Sequence, residues 1–458
     1  MTEMDAAASV RARYDDSGTG PALSALMCGT LVGTLSNNIV NVPLPEILAE
    51  FNAPLSSGVF VVVGFLLTFA ATMPLTGWAG DRFGRRRAYC VALVGTAACA
   101  IGATTAPSLA SLIAWRSLGG VFAGAFAPGV MGLISWLFGA HRRSRAIGVW
   151  ASVNGIGQAI GPTMGGVIAD GWGWRWVFVP LVPVALLGLV GTLRHIPAFP
   201  GTHMRIDLPG AVALTVGTAL LVLSVGLAPG PARWSALGAL VAALLILAWF
   251  VFHCLRVPDP FVQVRLAAEA RFVRSSIASF AQMFCLSATL LVVPLFMADG
   301  GYASTVIGLV LLAIPAAMVT LGPTVGRRQD RLGPRRVLRA GLIVLIGAQS
   351  ALAAVAIAPA RSAVLIPLLL ATGVGVALVQ TPTATGSTRS PAGAQGTGLG
   401  LFNLIRFTGS ALGAAWVSLA LNVGDYPLVF AVSAAVCSIG VAGSFLGRDP
   451  TGAIGADP

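Results

Sequence analysis

The chain has 458 residues, 56% of them hydrophobic and only 10% charged, with a mean hydropathy of +0.86 and a formal net charge of +12. A water-soluble domain carries about a quarter charged residues, so this chain could not cover a soluble surface and reads as a polytopic membrane protein. Its 28 basic residues are all arginine, and most sit in short clusters between apolar runs; that is the positive-inside pattern, not a nucleic-acid groove.

A spanning helix needs ~20 mostly apolar residues. By that rule the chain predicts an all-α protein with fourteen spans, approximately 22–44, 57–79, 87–106, 109–137, 145–168, 174–194, 208–228, 233–253, 272–298, 302–324, 336–357, 361–386, 395–422 and 426–447. The implied organisation is a tail (1–21), a six-helix bundle (22–198), a two-helix insert (199–256), a second six-helix bundle (257–448) and a second tail (449–458). The polar, mixed-charge start argues against a cleavable signal peptide. With both termini cytoplasmic, only Arg175, Arg233 and Arg361 fall outside, while Arg116 and Arg406 lie within spans.

The duplication is written in one loop. Gly77-Trp-Ala-Gly80-Asp81-Arg82-Phe-Gly84-Arg85-Arg86-Arg87 returns as Gly326-Arg-Arg-Gln-Asp330-Arg331-Leu-Gly333-Pro-Arg335-Arg336, at a fixed offset of 249 positions. Six spans with short loops fill roughly 200 positions, so the offset leaves room for two more helices. Gly77 and Gly80 allow close helix approach, Asp81 can pair with a nearby arginine or cap a helix, and Gly84 permits a tight turn.

These residues resemble the loop motif of the major facilitator superfamily, and Gly326 to Arg336 its second-half copy. The resemblance implies two pseudo-symmetric six-helix bundles moving by alternating access, plus two central helices. It gives Gly77, Asp81, Arg82, Gly84 and Arg85, and in the second half Asp330, Arg331 and Gly333, the role of a conformational latch. The fifth span, with Gly157, Gly161, Pro162, Gly165 and Gly166, is similar to the helix that marks antiporters in that superfamily. Its glycines repeat every four residues on one face, where tight packing alone is a sufficient reading. Trp174-Arg175-Trp176-Val-Phe178 and Ile39-Val40-Asn41-Val42 resemble the fourteen-helix drug/proton antiporters of the EmrB/QacA type.

Arg116 must face protein or water, since a charge inside a membrane is costly. It resembles the superfamily's buried arginine motif, with Gly119 where glutamine is usual; the other reading is an arginine bonded to backbone carbonyls. Asn37, Asn38 and Asn41 on the first span, Asn154 and Gln158 on the fifth, and Gln282, Gln380, Asn403 and Arg406 in the second half are the polar positions expected to line a substrate cavity. The alternative is an inter-helix network. The sixteen carboxylates all lie in tails, loops or span ends, and Ser36 stands where the resembling exporters carry an acid. Proton coupling would then rest on Asp81 with Arg116, on Glu46, or on some other route.

The six cysteines lie in apolar runs without metal-ligand spacing, and the four histidines have no paired acid or cysteine cluster. No phosphate-binding loop of the GxxxxGK[ST] type is present. The expectation is therefore a secondary transporter of the cell membrane that is not an enzyme and needs no metal or cofactor. It would act as a monomer on a small molecule, among lipids, with protons as one coupling option. Export of apolar or amphipathic compounds leads; an uncoupled facilitator or importer, and a non-transporting sensor or scaffold, are the alternatives.

Overall fold

In the computed structural model the described residues are 19–40, 42–53, 55–138, 140–198, 201, 206–227, 233–302, 304–357, 362–422 and 426–447. Among them the regular structure is all helical. The N-terminal half contains α1 (Thr19–Asn38), α2 (Leu44–Glu50), α3 (Leu55–Phe83), α4 (Arg85–Thr104), α5 (Leu109–Ala123), α6 (Phe126–Leu137), α7 (Ala140–Trp172) and α8 (Leu181–His195). A 3-10 turn, Trp174–Phe178, precedes α8. Next come α9 (Leu208–Leu227) and α10 (Arg233–Arg256). The C-terminal half has α11 (Val264–Ala267), α12 (Ala270–Asp299), α13 (Ser304–Leu311), α14 (Ala313–Leu332), α15 (Pro334–Val355), α16 (Ser362–Arg389), α17 (Gly396–Asn422) and α18 (Tyr426–Gly443). Eleven segments of the described residues are long and apolar enough to cross a membrane.

Several expected spans are interrupted, each for a local reason. The first stops at Asn38, because Pro43 and Pro45 lack the amide donors a continuing helix needs. Asn41, expected in the cavity, lies outside the described residues. The fourth breaks at Gly124–Ala125 between α5 and α6. Along that break Thr68, Thr72 and Thr76 of α3 donate to the carbonyls of Ser117 (2.7 Å), Val121 (3.4 Å) and Gly124 (3.1 Å). Threonines four apart share one helix face, so a single stripe satisfies carbonyls of the neighbouring chain. The tenth span divides at Leu312 into α13 and α14.

Each charged loop is one glycine long. Gly84 (φ 94°, ψ 126°) joins α3 to α4, and Gly333 (φ 89°, ψ 124°) joins α14 to α15. Positive φ strains any residue with a Cβ, so glycine at both places lets two helices meet without a linker. The equal angles make the two turns one structure used twice.

Within the N-terminal half, α1 packs on α7 and α8, and α5 on α3 and α4. Within the C-terminal half, α12 packs on α16, α17 and α18, and α15 on α16 and α18. The halves meet along α3 against α17 and α7 against α14. The α9–α10 pair leans on that seam, where Leu214, Phe250 and Phe261 bury together with Ala70 of α3 and Leu404 of α17.

Candidate functional site

At one end of the seam glycine sets the approach. A Cβ on Gly77 would fall on the Gly396 carbonyl, and one on Gly400 would meet the backbone of Met73 and Pro74. Such contact brings the Asp81 carboxylate to the N-terminus of α17, where it accepts the Gly396 amide proton. The helix N-terminus offers unpaired N–H groups and partial positive charge to an anion. The other carboxylate oxygen of Asp81 pairs with Arg85 at 2.9 Å. Arg85 in turn donates to the carbonyls of Gly132 (2.9 Å) and Ala394 (3.0 Å). One ion pair thus ties α3 and α4 to α6 and, across the seam, to the turn before α17.

The second copy does the same on the other half-interface. A Cβ on Gly326 would meet the Ser144 carbonyl, and Gly148 and Gly322 face each other backbone to backbone. Asp330 pairs with Arg389 at the end of α16 (3.2 Å), and Arg389 donates to the Ser144 hydroxyl (3.1 Å) on α7. Sequence reasoning found the two aspartates but not Arg389, which lies beyond any local spacing.

At the opposite end Glu50 accepts the Trp174 indole N–H (2.6 Å) and pairs with Arg175, which also donates to the Ala106 carbonyl (3.2 Å). The bond from Arg175, then that from Trp174, holds the Glu50 carboxyl below its ordinary range. Glu46, a coupling candidate, is exposed on α2.

Between these ends lie the two buried arginines. Arg116 is 4% exposed and donates to the carbonyls of Ser36 (2.6 Å) and Val61 (3.2 Å). The Ser36 carbonyl belongs to the last turn of α1, where the helix leaves its final carbonyls without partners. Arg116 therefore caps a broken helix. These are the contacts that its structural reading requires, and its guanidinium also lies over Phe65 at 4.4 Å.

Arg406 is different. It is 1% exposed, yet none of its three guanidinium nitrogens has a hydrogen-bond partner. Aromatic faces surround it instead: Trp150 of α7 at 5.1 Å and Phe407 at 5.3 Å. Phe407 meets Phe69 edge-on at 4.9 Å, and Phe69 stacks on Phe65 at 5.6 Å. A file of aromatic rings thus connects the two arginines across the seam. Sequence reasoning missed these rings, because aromatic residues in apolar helices read as ordinary packing.

The amides divide into two groups. Asn38 donates to Thr34, Asn154 to Trp150, and Asn403 to Leu399, all carbonyls one turn back on the same helix. Asn403 also approaches the Met131 sulfur of the other half at 3.3 Å. Gln282 and Gln380 are 0% and 1% exposed, and both polar atoms of each amide lack partners. Asn37 and Gln158 are half-buried. The glycine stripe of α7 serves packing inside one bundle: Gly157 faces Thr34, Gly161 faces Asn38 and Gly165 faces the Ile39 carbonyl, along α1 and the residue that follows it. Gly166 abuts Val42, and Pro162 sits within an unbroken α7. A separate apolar cleft of about 370 Å³ opens between α12 and α17, lined by Phe272, Ile277, Phe280, Leu401 and Ile405.

A further pair, contrary to the expectation that no histidine has a paired acid, lies at the base of α9 and α10. Asp207 caps α9 by accepting the Gly210 amide proton (3.1 Å), and it also binds the Phe261 amide (3.1 Å) and His253 (2.9 Å). Burial pushes its carboxyl up, but the bonds from His253, Gly210 and Phe261 outweigh this and leave it below the ordinary range. A depressed carboxyl stabilises the fold above the unfolded-state value and loses that contribution as pH falls through its own lower value. Asp207→Asn is expected to cost about 1–2 kcal/mol at neutral pH. Thermal melts of both proteins should converge only below roughly pH 4; a gap that stays constant well below that pH would refute the charge account.

Two halves joined at a duplicated seam, around buried polar groups at mid-helix, define a membrane transport fold. The Major Facilitator Superfamily family model matches residues 26–414 and 275–456, and the chain belongs to that family of membrane transporters, which are not enzymes. It is 31% identical over 408 residues to the uncharacterized MFS-type transporter Rv1250 of Mycobacterium tuberculosis, covering 86% of this chain and 69% of that protein. It is 31% identical over 405 residues to the multidrug resistance protein Stp of Mycobacterium tuberculosis, covering 84% and 74%. Its fold is that of the human organic anion transporter MFSD10 (TETRAN), with a TM-score of 0.67 at 17% identity, over 93% of this chain and 99% of that one.

Proposed function

We propose that this protein exports small apolar or amphipathic compounds across the cell membrane by alternating access, as a fourteen-helix exporter of the drug/proton antiporter type. The observation that carries this reading is the contrast along the seam. Glycine contacts and the Asp81–Arg85 and Asp330–Arg389 pairs close one end, while Arg406, Gln282 and Gln380 lie buried and unpaired at mid-helix. Buried polar groups are normally satisfied, so unpaired groups at mid-helix beside a breakable seam suit a site that ligand or water fills in another state. In this reading the sealed end is cytoplasmic, as its arginine clusters favour. Helices in all fourteen apolar runs support the span count, with α9 and α10 as the inserted pair. The naming of Stp as a multidrug resistance protein supports export of drug-like compounds.

A second reading rests on one observation: the acids lie in tails, loops and span ends. Without a mid-membrane carboxylate, uncoupled movement is the natural alternative to proton antiport. Purified protein in proteoliposomes separates the two. Antiport predicts substrate movement that accelerates under an imposed pH gradient and reverses with its sign. Movement indifferent to the gradient would select the facilitator, and no movement across a broad panel would leave the sensor or scaffold.

A further inference from the structure

The buried guanidinium of Arg406 is a charge with no counter-charge among the described residues. Arginine stays protonated in proteins, so it cannot escape burial by losing its proton. The ring faces of Trp150 and Phe407 lie over it, and Arg116, the other buried arginine, adds positive charge to the same file of rings. In the sequence the sixteen carboxylates fall in tails, loops or the ends of apolar runs. Arg406 stands ten residues inside α17, roughly 15 Å from its first turn. Trp150 stands ten residues inside α7, at roughly the same depth, and Gln282 and Gln380 lie twelve and nine residues from the same ends of α12 and α16, roughly 18 and 14 Å.

We propose that Arg406 is the docking group for a negatively charged substituent on the transported compound, and that the substrates are amphipathic organic anions: an aromatic or apolar body bearing a carboxylate or sulfonate. The proposal rests on the transporter reading above and narrows its substrate class. The planar guanidinium presents five donors in a fork that matches a carboxylate or sulfonate edge in two parallel bonds. Trp150 and Phe407 supply flat apolar faces against which the body of the same molecule can lie. Gln282 and Gln380 hold unpaired amide donors and acceptors for its remaining polar atoms. A permanent cation would meet repulsion without a compensating acid, so cationic compounds are the class this site rejects.

The test uses the full-length purified protein and three probes of one shape: 2-naphthoate, 2-naphthalenemethanol and 2-naphthylmethylammonium. Calorimetric titration should rank the naphthoate roughly tenfold or more above the alcohol, as charge-assisted bonds imply, with the ammonium weakest. Arg406→Gln should bring naphthoate to within about twofold of the alcohol while leaving alcohol binding intact, which also shows that the variant is folded. Arg406→Lys should keep part of the preference, and Arg256→Gln, on an exposed arginine, all of it. Equal binding of the three probes, no binding of any, persistence of the preference in Arg406→Gln, or chloride matching naphthoate as a ligand would each overturn the proposal. The same probes in proteoliposomes separate it from the transporter reading. Selective binding without movement refutes transport and keeps the site; movement of all three alike refutes the site and keeps transport.

Discussion

Asp81→Asn is expected to leave membrane insertion intact and to cripple transport by unlocking the sealed end of the seam. The substitution keeps the shape of the side chain and removes its charge. Two interactions weaken together: the 2.9 Å ion pair with Arg85, and the bond from the Gly396 amide at the head of a 27-residue helix. The carboxylate is about 10% exposed, so solvent screens it little. Charge-assisted hydrogen bonds contribute about 1.5–3 kcal/mol each and a helix N-terminus about 0.3–1 kcal/mol. Arg85 keeps its bonds to the Gly132 and Ala394 carbonyls, which limits the loss. A net weakening of about 2 kcal/mol shifts a two-state equilibrium roughly thirtyfold. A cysteine placed at Thr397, which is 1% exposed beside the seam, should change from protected to rapidly modified by an impermeant maleimide at that face. Wild-type transport with undiminished protection of that cysteine would remove Asp81 from the latch.

The helices were legible because hydropathy is a local property, and each apolar run declares itself without knowledge of its neighbours. The doubled loop was legible for the same reason: Gly84 and Gly333 are demanded by a turn that only glycine makes easily, so the spacing survives in both copies. What was hidden is tertiary. That Asp330 pairs with Arg389, and that Ser36 owes its carbonyl partner to Arg116, depends on helices that meet only after folding. The breaks at Asn38 and Gly124 are half legible, since proline explains the first. The second needs the threonine stripe of α3 as well as glycine. Arg406 was visible as a charge in an apolar run, but its isolation was not. Only the packed structure shows rings where a carboxylate would be expected.

Gly77→Val and Gly165→Val should both collide with a rigid backbone carbonyl, yet they should fail in opposite ways. At Gly77 the obstacle is Gly396, which belongs to the other half. The clash can be relieved by parting α3 from α17, a motion that the proposed transport cycle already contains. Overpacking costs typically 1–3 kcal/mol, and here that cost falls on one conformation of the protein rather than on its folded state. Thermal stability should therefore change little, while the Thr397 cysteine becomes roughly ten- to a hundredfold more reactive. At Gly165 the obstacle is the Ile39 carbonyl, just after α1 and within the same bundle. No transport motion separates α7 from α1, so the clash must be met by displacing the break that Arg116 caps, with loss of its bond to Ser36. That variant should lose about 3 kcal/mol or more and melt early or fail to accumulate, with Thr397 still protected in whatever folds. Equal melting temperatures for the two variants, or a reactive Thr397 cysteine in Gly165→Val alone, would contradict the division between a seam that opens and a bundle that moves as one body.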